Sequence, residues 1–178
     1  MGSQPNYTRR KLPKVILPPL QEPSEWRDYR LEDLFTIGTG SILSKDMLLE
    51  GNIPRISAKS ENNGIIGYYD TKKNMAARHF ENFISVNFFG SSGGIFYHPY
   101  KASLEMKVHA LQPKGFVLDR STGIYFVTAL LSILNGYTYG NQLSSSKLKS
   151  ENFVLKLPSK DNQLDFQYMA YYVQQIEA

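Results

Sequence analysis

Residues 53–111 run as a succession of short strand-like segments separated by turn residues, and that pattern constrains the fold more than any other. Ile53-Pro54-Arg55-Ile56-Ser57 reads as extended, and its proline marks a strand start or an edge. Asn62-Asn63-Gly64 is a turn signal ahead of a strand over Ile65–Tyr69. Phe83 to Phe88 begins with apolar and polar residues in alternation, which predicts a half-buried strand. Ile95-Phe96-Tyr97 and Met106–Leu111 are further strand candidates. A last strand is expected over Phe153–Leu157, closed by Pro158.

Helices are few. Leu31 to Phe35 has helical spacing for about one turn. Ser44 is a candidate N-cap for Lys45–Glu50, with Gly51 as the stop. Ser121 to Leu134 is apolar on most faces and ends at Asn135-Gly136, which predicts a buried helix. Ser144 to Ser150 reads as a short one. Asp165 can cap a C-terminal helix in which Phe166, Met169, Val173 and Ile176 form an a/d seam. That seam predicts the start of a longer coiled-coil-like helix; the alternative is an amphipathic helix docked on its own domain. Periodicity alone supports a mix of α and β. Residues 1–25 read as an expression scar (Met1-Gly2-Ser3) followed by a proline-rich basic arm or linker, 26–160 as the main domain, and 161–178 as the start of that longer helix.

The chain lacks cysteine, which excludes disulfide frameworks, thiolate zinc sites and cysteine nucleophiles, and fits a cytoplasmic protein. No leader is evident, and the most apolar run is too short for a bilayer, so no membrane association is expected. The net charge is +4, with Arg9, Arg10, Lys11 and Lys14 unopposed at the N-terminus. Twelve tyrosines and ten phenylalanines interleave with lysines at Tyr97, Tyr100 and Lys101, and again at Tyr137, Tyr139 and Lys147. Such interleaving suits nucleic acid, and equally the edges of a β-rich core.

Catalytic patterns are incomplete. Gly90-Ser91-Ser92-Gly93-Gly94 has the spacing of a nucleophile elbow, which would make Ser92 a serine-hydrolase nucleophile. The elbow requires a helix to follow, whereas Ile95 to Tyr100 is aromatic and contains Pro99. The alternative is a turn whose backbone N–H groups meet an anion. Glu105-Met106-Lys107 is half of a nuclease motif without its first acid. His79, His98 and His109 lack metal-ligand spacing, so no metal or cofactor is expected.

Several segments taken in order carry a family likeness. They are Trp26 with Tyr29–Phe35; Gly51–Ala58; Asn62–Tyr68; Ile84-Ser85-Val86-Asn87 with Gly90-Ser91; Phe96–Ala102; Tyr139–Gln142; and Leu148 with Leu155–Pro158. This order, over residues 26–177, resembles the target-recognition domain of type I restriction-modification specificity subunits, and the equivalent domain of BcgI-like and fused restriction-methylation enzymes. The resemblance implies an α+β fold in which twisted, mostly antiparallel strands form the bulk, with a packed central helix and a projecting C-terminal helix that begins a coiled-coil spacer. It implies a non-enzymatic module, 26–160, that reads one half of a split double-stranded DNA target, with 161–178 as the start of the spacer helix. It also implies a methyltransferase subunit or fused methyltransferase domain as partner, and a second recognition domain joined through the spacer helix. A protein-interaction domain that uses only the C-terminal helix is the remaining alternative.

Given that likeness, polar loop residues are the expected DNA contacts, because strands and the central helix are needed for the core. They are Lys59, Ser60, Asn62 and Asn63 in the first turn; Lys72, Lys73, Asn74 and Arg78 in a basic loop; Ser91 and Ser92 as an anion nest; and Tyr139, Asn141, Gln142, Ser144, Ser145 and Lys147 after the buried helix. Phe166, Met169, Val173 and Ile176 are the expected partner-helix residues.

Overall fold

The computed structural model describes residues 21–177. The expected expression scar and most of the expected basic arm, including Arg9 to Lys14, lie outside the described residues. The described chain begins with β1 (Glu25–Arg30), a one-turn α1 (Leu31–Leu34) and β2 (Phe35–Thr39). Then come β3 (Glu50–Ile56), β4 (Ile65–Tyr69), β5 (His79–Phe80), β6 (Phe83–Asn87), β7 (Ile95–His98), β8 (Ala102–Leu104) and β9 (Val108–Pro113). The C-terminal part holds α2 (Arg120–Ile133), α3 (Ser145–Ser150), β10 (Val154–Lys160), β11 (Gln163–Leu164) and α4 (Phe166–Glu177).

These strands form three sheets, ordered β1-β10-β11, β2-β9-β6-β7 and β4-β3-β8-β5. All pairings are antiparallel except β3 with β8. The fold is thus α+β and mostly antiparallel, as the family resemblance implies.

The β2-β9-β6-β7 sheet is the middle layer. Ile84, Val86 and Leu111 point from one face into a large core with Phe126, Leu130 and Leu134 of the central helix segment and with Leu155 and Leu157. Phe83, Val108 and Ala110 point from the other face into a smaller core with Ile56, Ala102 and Leu104 of the second four-stranded sheet. A strand in the middle layer is covered on both faces, so β6 is buried at every residue rather than half-buried. Its polar positions find partners inside: Ser85 Oγ lies 2.8 Å from His98 Nε2, and Asn87 Oδ1 accepts the Phe89 N–H at 2.8 Å, while Asn87 Nδ2 is buried without a partner among the described residues. Each large side chain buried in these cores contributes about 1.5–3 kcal/mol of hydrophobic stabilisation.

Helix α2 starts on a capping box: Asp119 Oδ1 accepts the Thr122 N–H at 2.8 Å, and Thr122 Oγ1 accepts the Asp119 N–H at 2.9 Å. These contacts hold the Asp119 carboxyl below its ordinary pKa. Two punctuation marks are not where the sequence suggests. Gly51 does not stop a helix; only Lys45–Met47 forms a 3-10 turn, and Gly51 lies in β3, where a Cβ would meet the Asp70 backbone N at 2.3 Å. Pro158 does not close the last strand. It sits inside β10 opposite Trp26, and β10 continues to Lys160.

The C-terminal helix does not project. Asp165 Oδ1 caps it by accepting the Tyr168 N–H at 2.9 Å. Met169 is 0% exposed in the large core, Val173 is buried, and Phe166 packs on Phe116 with ring centroids 5.2 Å apart. Tyr172 meets Tyr125 of α2 edge-on at 5.6 Å. The expected partner seam is therefore largely used within the domain, and only Ile176, 60% exposed, stays outside. Three of its four members face the domain because α2 and β10 leave an apolar trough that this face fills.

Candidate nucleic-acid interface

Strand direction gathers the loops at one end of the two four-stranded sheets. Strands β2, β3, β6 and β8 finish there, while β4, β5, β7 and β9 start there. Main-chain hydrogen bonds lace these loops together. Ser41 N–H donates to the Leu104 carbonyl at 2.9 Å, Glu105 N–H to Ile56 at 2.9 Å, and Leu143 N–H to Phe88 at 2.7 Å. The 57–64 and 88–94 loops also meet, since a Cβ on Gly94 would stand 3.5 Å from the Ser60 Cα.

Most expected contact residues reach this rim. Lys59, Ser60, Asn62 and Asn63 are exposed in the β3–β4 loop. Asn62, Asn63 and Gly64 all adopt positive φ, at 48°, 52° and 76°, a path that Asn and Gly tolerate better than other residues. Arg78 closes the β4–β5 loop on the rim, where Nη1 donates to the Thr39 carbonyl at 3.3 Å. Tyr139 is 82% exposed with Lys107 Nζ 6.0 Å from its ring centroid. Lys147 Nζ donates to Asn141 Oδ1, and Gln142 is half-buried beside them.

Other expected residues serve the fold or lie apart. Lys72, Lys73 and Asn74 stand in the first part of the β4–β5 loop, which sets out from the opposite end of the sheet. Asn74 Oδ1 accepts the Ala76 N–H at 3.0 Å and shapes that loop. Ser144 caps α3 by accepting the Lys147 N–H at 3.3 Å, and Ser145 opens that helix. Ser91 is taken up in the domain: its N–H donates to Leu134 and its Oγ to Leu131, both at 2.6 Å, which satisfies carbonyls at the end of α2. Ser92 remains exposed in the 3-10 turn Gly90–Gly93. That turn joins two antiparallel strands, β6 and β7, so the strand–turn–helix geometry of a nucleophile elbow is not formed.

Two buried histidines brace the middle sheet, His109 near the rim and His98 at the opposite end, where β7 finishes. His109 Nε2 donates to the Leu143 carbonyl at 2.8 Å, and its ring stacks on Phe88 at 4.5 Å. His98 stacks on Phe83 at 4.9 Å and lies 3.1 Å from the Tyr100 hydroxyl. Burial pushes both imidazoles down to about 4, so both are neutral near pH 7. Among the described residues, no three His, Asp or Glu side chains come together as a metal site.

The structure also brings Lys107 and Arg55 to this end of the sheets, neither of which is among the contact residues expected from sequence. Lys107 is visible in sequence as part of an incomplete nuclease motif. Arg55 is buried in β3 with Glu105 beside it, and burial lowers its pKa against the opposing pull of that carboxylate. Glu105 stands in the turn between β8 and β9.

A family profile described as the type I restriction modification DNA specificity domain matches residues 23–178. The chain belongs to that family. Specificity subunit S.BcgI, of a type II restriction enzyme from Heyndrickxia coagulans, is 29% identical over 153 residues, covering 85% of this chain and 43% of that subunit. Two solved structures share the fold of this specificity domain. The HsdS subunit from Thermoanaerobacter tengcongensis superposes with a TM-score of 0.59 at 17% identity, covering 93% of this chain and 39% of the other. The S subunit of a type I restriction-modification system from M. genitalium gives 0.57 at 18%, covering 80% and 38%. The domain spans about two fifths of the length of these relatives.

Proposed function

We propose that this specificity domain reads one half of a split DNA target for a restriction-modification complex and performs no catalysis itself. One observation carries the reading: lysines, an arginine, amides and an exposed tyrosine from separate loops converge on one rim of a rigid double sheet. Cationic groups at such a rim hold phosphates and set the register. Asn and Gln side chains carry the paired donor and acceptor that a base edge requires.

The same reading gives the domain a methyltransferase subunit or fused methyltransferase domain as partner, and a second recognition domain. An apolar groove of about 770 Å³ supports it. Exposed Trp26, Val154 and Ile176 border that groove beside α2 and α4, away from the loops. In this reading the exposed side of α4 continues the spacer, while its buried side anchors the domain. No helix among the described residues is long and apolar enough to cross a membrane.

The test is selection from a pool of random duplexes. An enriched half-site is expected, with affinity that falls steeply as salt rises. Retained duplexes with no consensus at any salt concentration would refute sequence reading.

A further inference from the structure

One charged pair at the rim differs in construction from its neighbours. Arg55 is 1% exposed, and its guanidinium is fixed from several sides. Nη2 donates to the Ser41 carbonyl at 2.8 Å, while Nη1 reaches Ser103 Oγ at 3.4 Å and the Leu104 carbonyl at 3.5 Å. Among the described residues Nε has no hydrogen-bond partner, and Glu105 Oε1 stands 4.0 Å from it. The carboxylate is thus drawn toward a cation that cannot leave, without a close hydrogen bond that would use up its lone pairs. The main chain of Glu105 is pinned as well: its N–H donates to Ile56 at 2.9 Å, and its carbonyl accepts the Val108 N–H at 3.2 Å. The Glu105 side chain is 41% exposed and lines a cleft of about 290 Å³ with Ser41, Ile42, Met106 and Lys107.

A carboxylate on a surface that meets phosphates is repelled unless it finds a donor. In the major groove the base donors are the cytosine N4 and adenine N6 amino groups. Adenine places its N7 acceptor next to the amino group, where it opposes a second carboxylate oxygen. Cytosine places an apolar C5 edge there, which suits the exposed side chains of Ile42 and Met106. Its paired guanine offers only the acceptors O6 and N7, which suit the ammonium of Lys107.

We propose that Glu105 and Lys107 read one C·G pair of the half-site, Glu105 taking cytosine N4 and Lys107 the guanine edge, with Arg55 as positioning residue. This rests on the DNA-reading function above. Selection by the unaltered chain is expected to return a C·G pair that Glu105→Gln relaxes, losing about 5- to 150-fold in discrimination there and nowhere else. Replacing that cytosine with an analogue lacking the 4-amino group should weaken the unaltered chain similarly and leave Glu105→Gln indifferent. That arm needs no variant to fold. Arg55→Lys should flatten preference at the same pair while binding to scrambled duplex persists, a split that general destabilisation does not produce. An unchanged consensus from Glu105→Gln, a consensus without a C·G pair, or undiminished binding to the analogue overturns the assignment and leaves DNA reading intact. No consensus from the unaltered chain overturns both.

Discussion

Truncating Met169 distinguishes a helix that belongs to the domain from one that merely leaves it. Met169→Ala removes three heavy atoms from a side chain that is fully enclosed by the large core. At about 0.8 kcal/mol per buried methylene-sized group, the lost transfer energy is roughly 2.4 kcal/mol. A residual void adds about 24 cal/mol per Å³, so partial collapse brings the total to about 3 kcal/mol. That is a large share of the ~5–15 kcal/mol that holds a typical domain together. Ile176→Ala, on the same helix but mostly in solvent, should cost less than about 0.5 kcal/mol. Urea unfolding followed by tyrosine fluorescence and by circular dichroism gives both values, and a constant m-value keeps the comparison valid. A loss below about 1 kcal/mol for Met169→Ala, or equal losses for the two variants, would refute the packing argument.

Lys59→Ala with Lys147→Ala should weaken binding to every duplex and reduce the salt slope by about one to two units, more than Lys72→Ala with Lys73→Ala; a fluorescence-anisotropy salt titration compares them. Gln142→Ala should cost about 1–3 kcal/mol on the selected half-site and little on a scrambled one, as measured by competition binding. His98 and His109 have folded-state pKa values of about 4, below the ordinary 6.5, so the unfolded chain binds more protons between those values. Their contribution is complete above about pH 6.5 and falls as pH drops toward 4, by at most roughly 3 kcal/mol for each ring. Urea midpoints measured from pH 7.5 to 4.5 should therefore decline, and His109→Gln should decline less steeply than the unaltered chain.

Local chemistry made the elements legible. The Asn62-Asn63-Gly64 turn, the helix ending before Asn135-Gly136 and the Asp165 cap all depend on residues next to one another in the chain. Layering was not legible, because it depends on what covers the second face of a strand. The alternation at Phe83–Phe88 suggested one wet face, and only the packing of β3 and β8 above it makes Ser85 and Asn87 interior. Long-range partners also decided the site. Ser91 looks free in sequence and is used by carbonyls about forty residues away. Arg55 reads as one more strand residue until the β8–β9 turn brings Glu105 beside it. The a/d spacing of α4 was correctly periodic, but periodicity cannot tell a foreign helix from α2.

The two cores meet only across the middle sheet, and they serve different parts of the molecule. Ile56, Phe83, Ala102, Leu104, Val108 and Ala110 underlie the β3–β4 and β8–β9 loops, while the larger cluster carries α2 and α4 and, through Tyr137, Leu143 and Leu148, the loop after α2. Remodelling the smaller cluster can reshape the loops with little strain reaching the helical side. Under the proposed DNA-reading role, a change of target could therefore begin in the β3–β4 and β8–β9 loops while the face built by α2 and α4 stays unchanged.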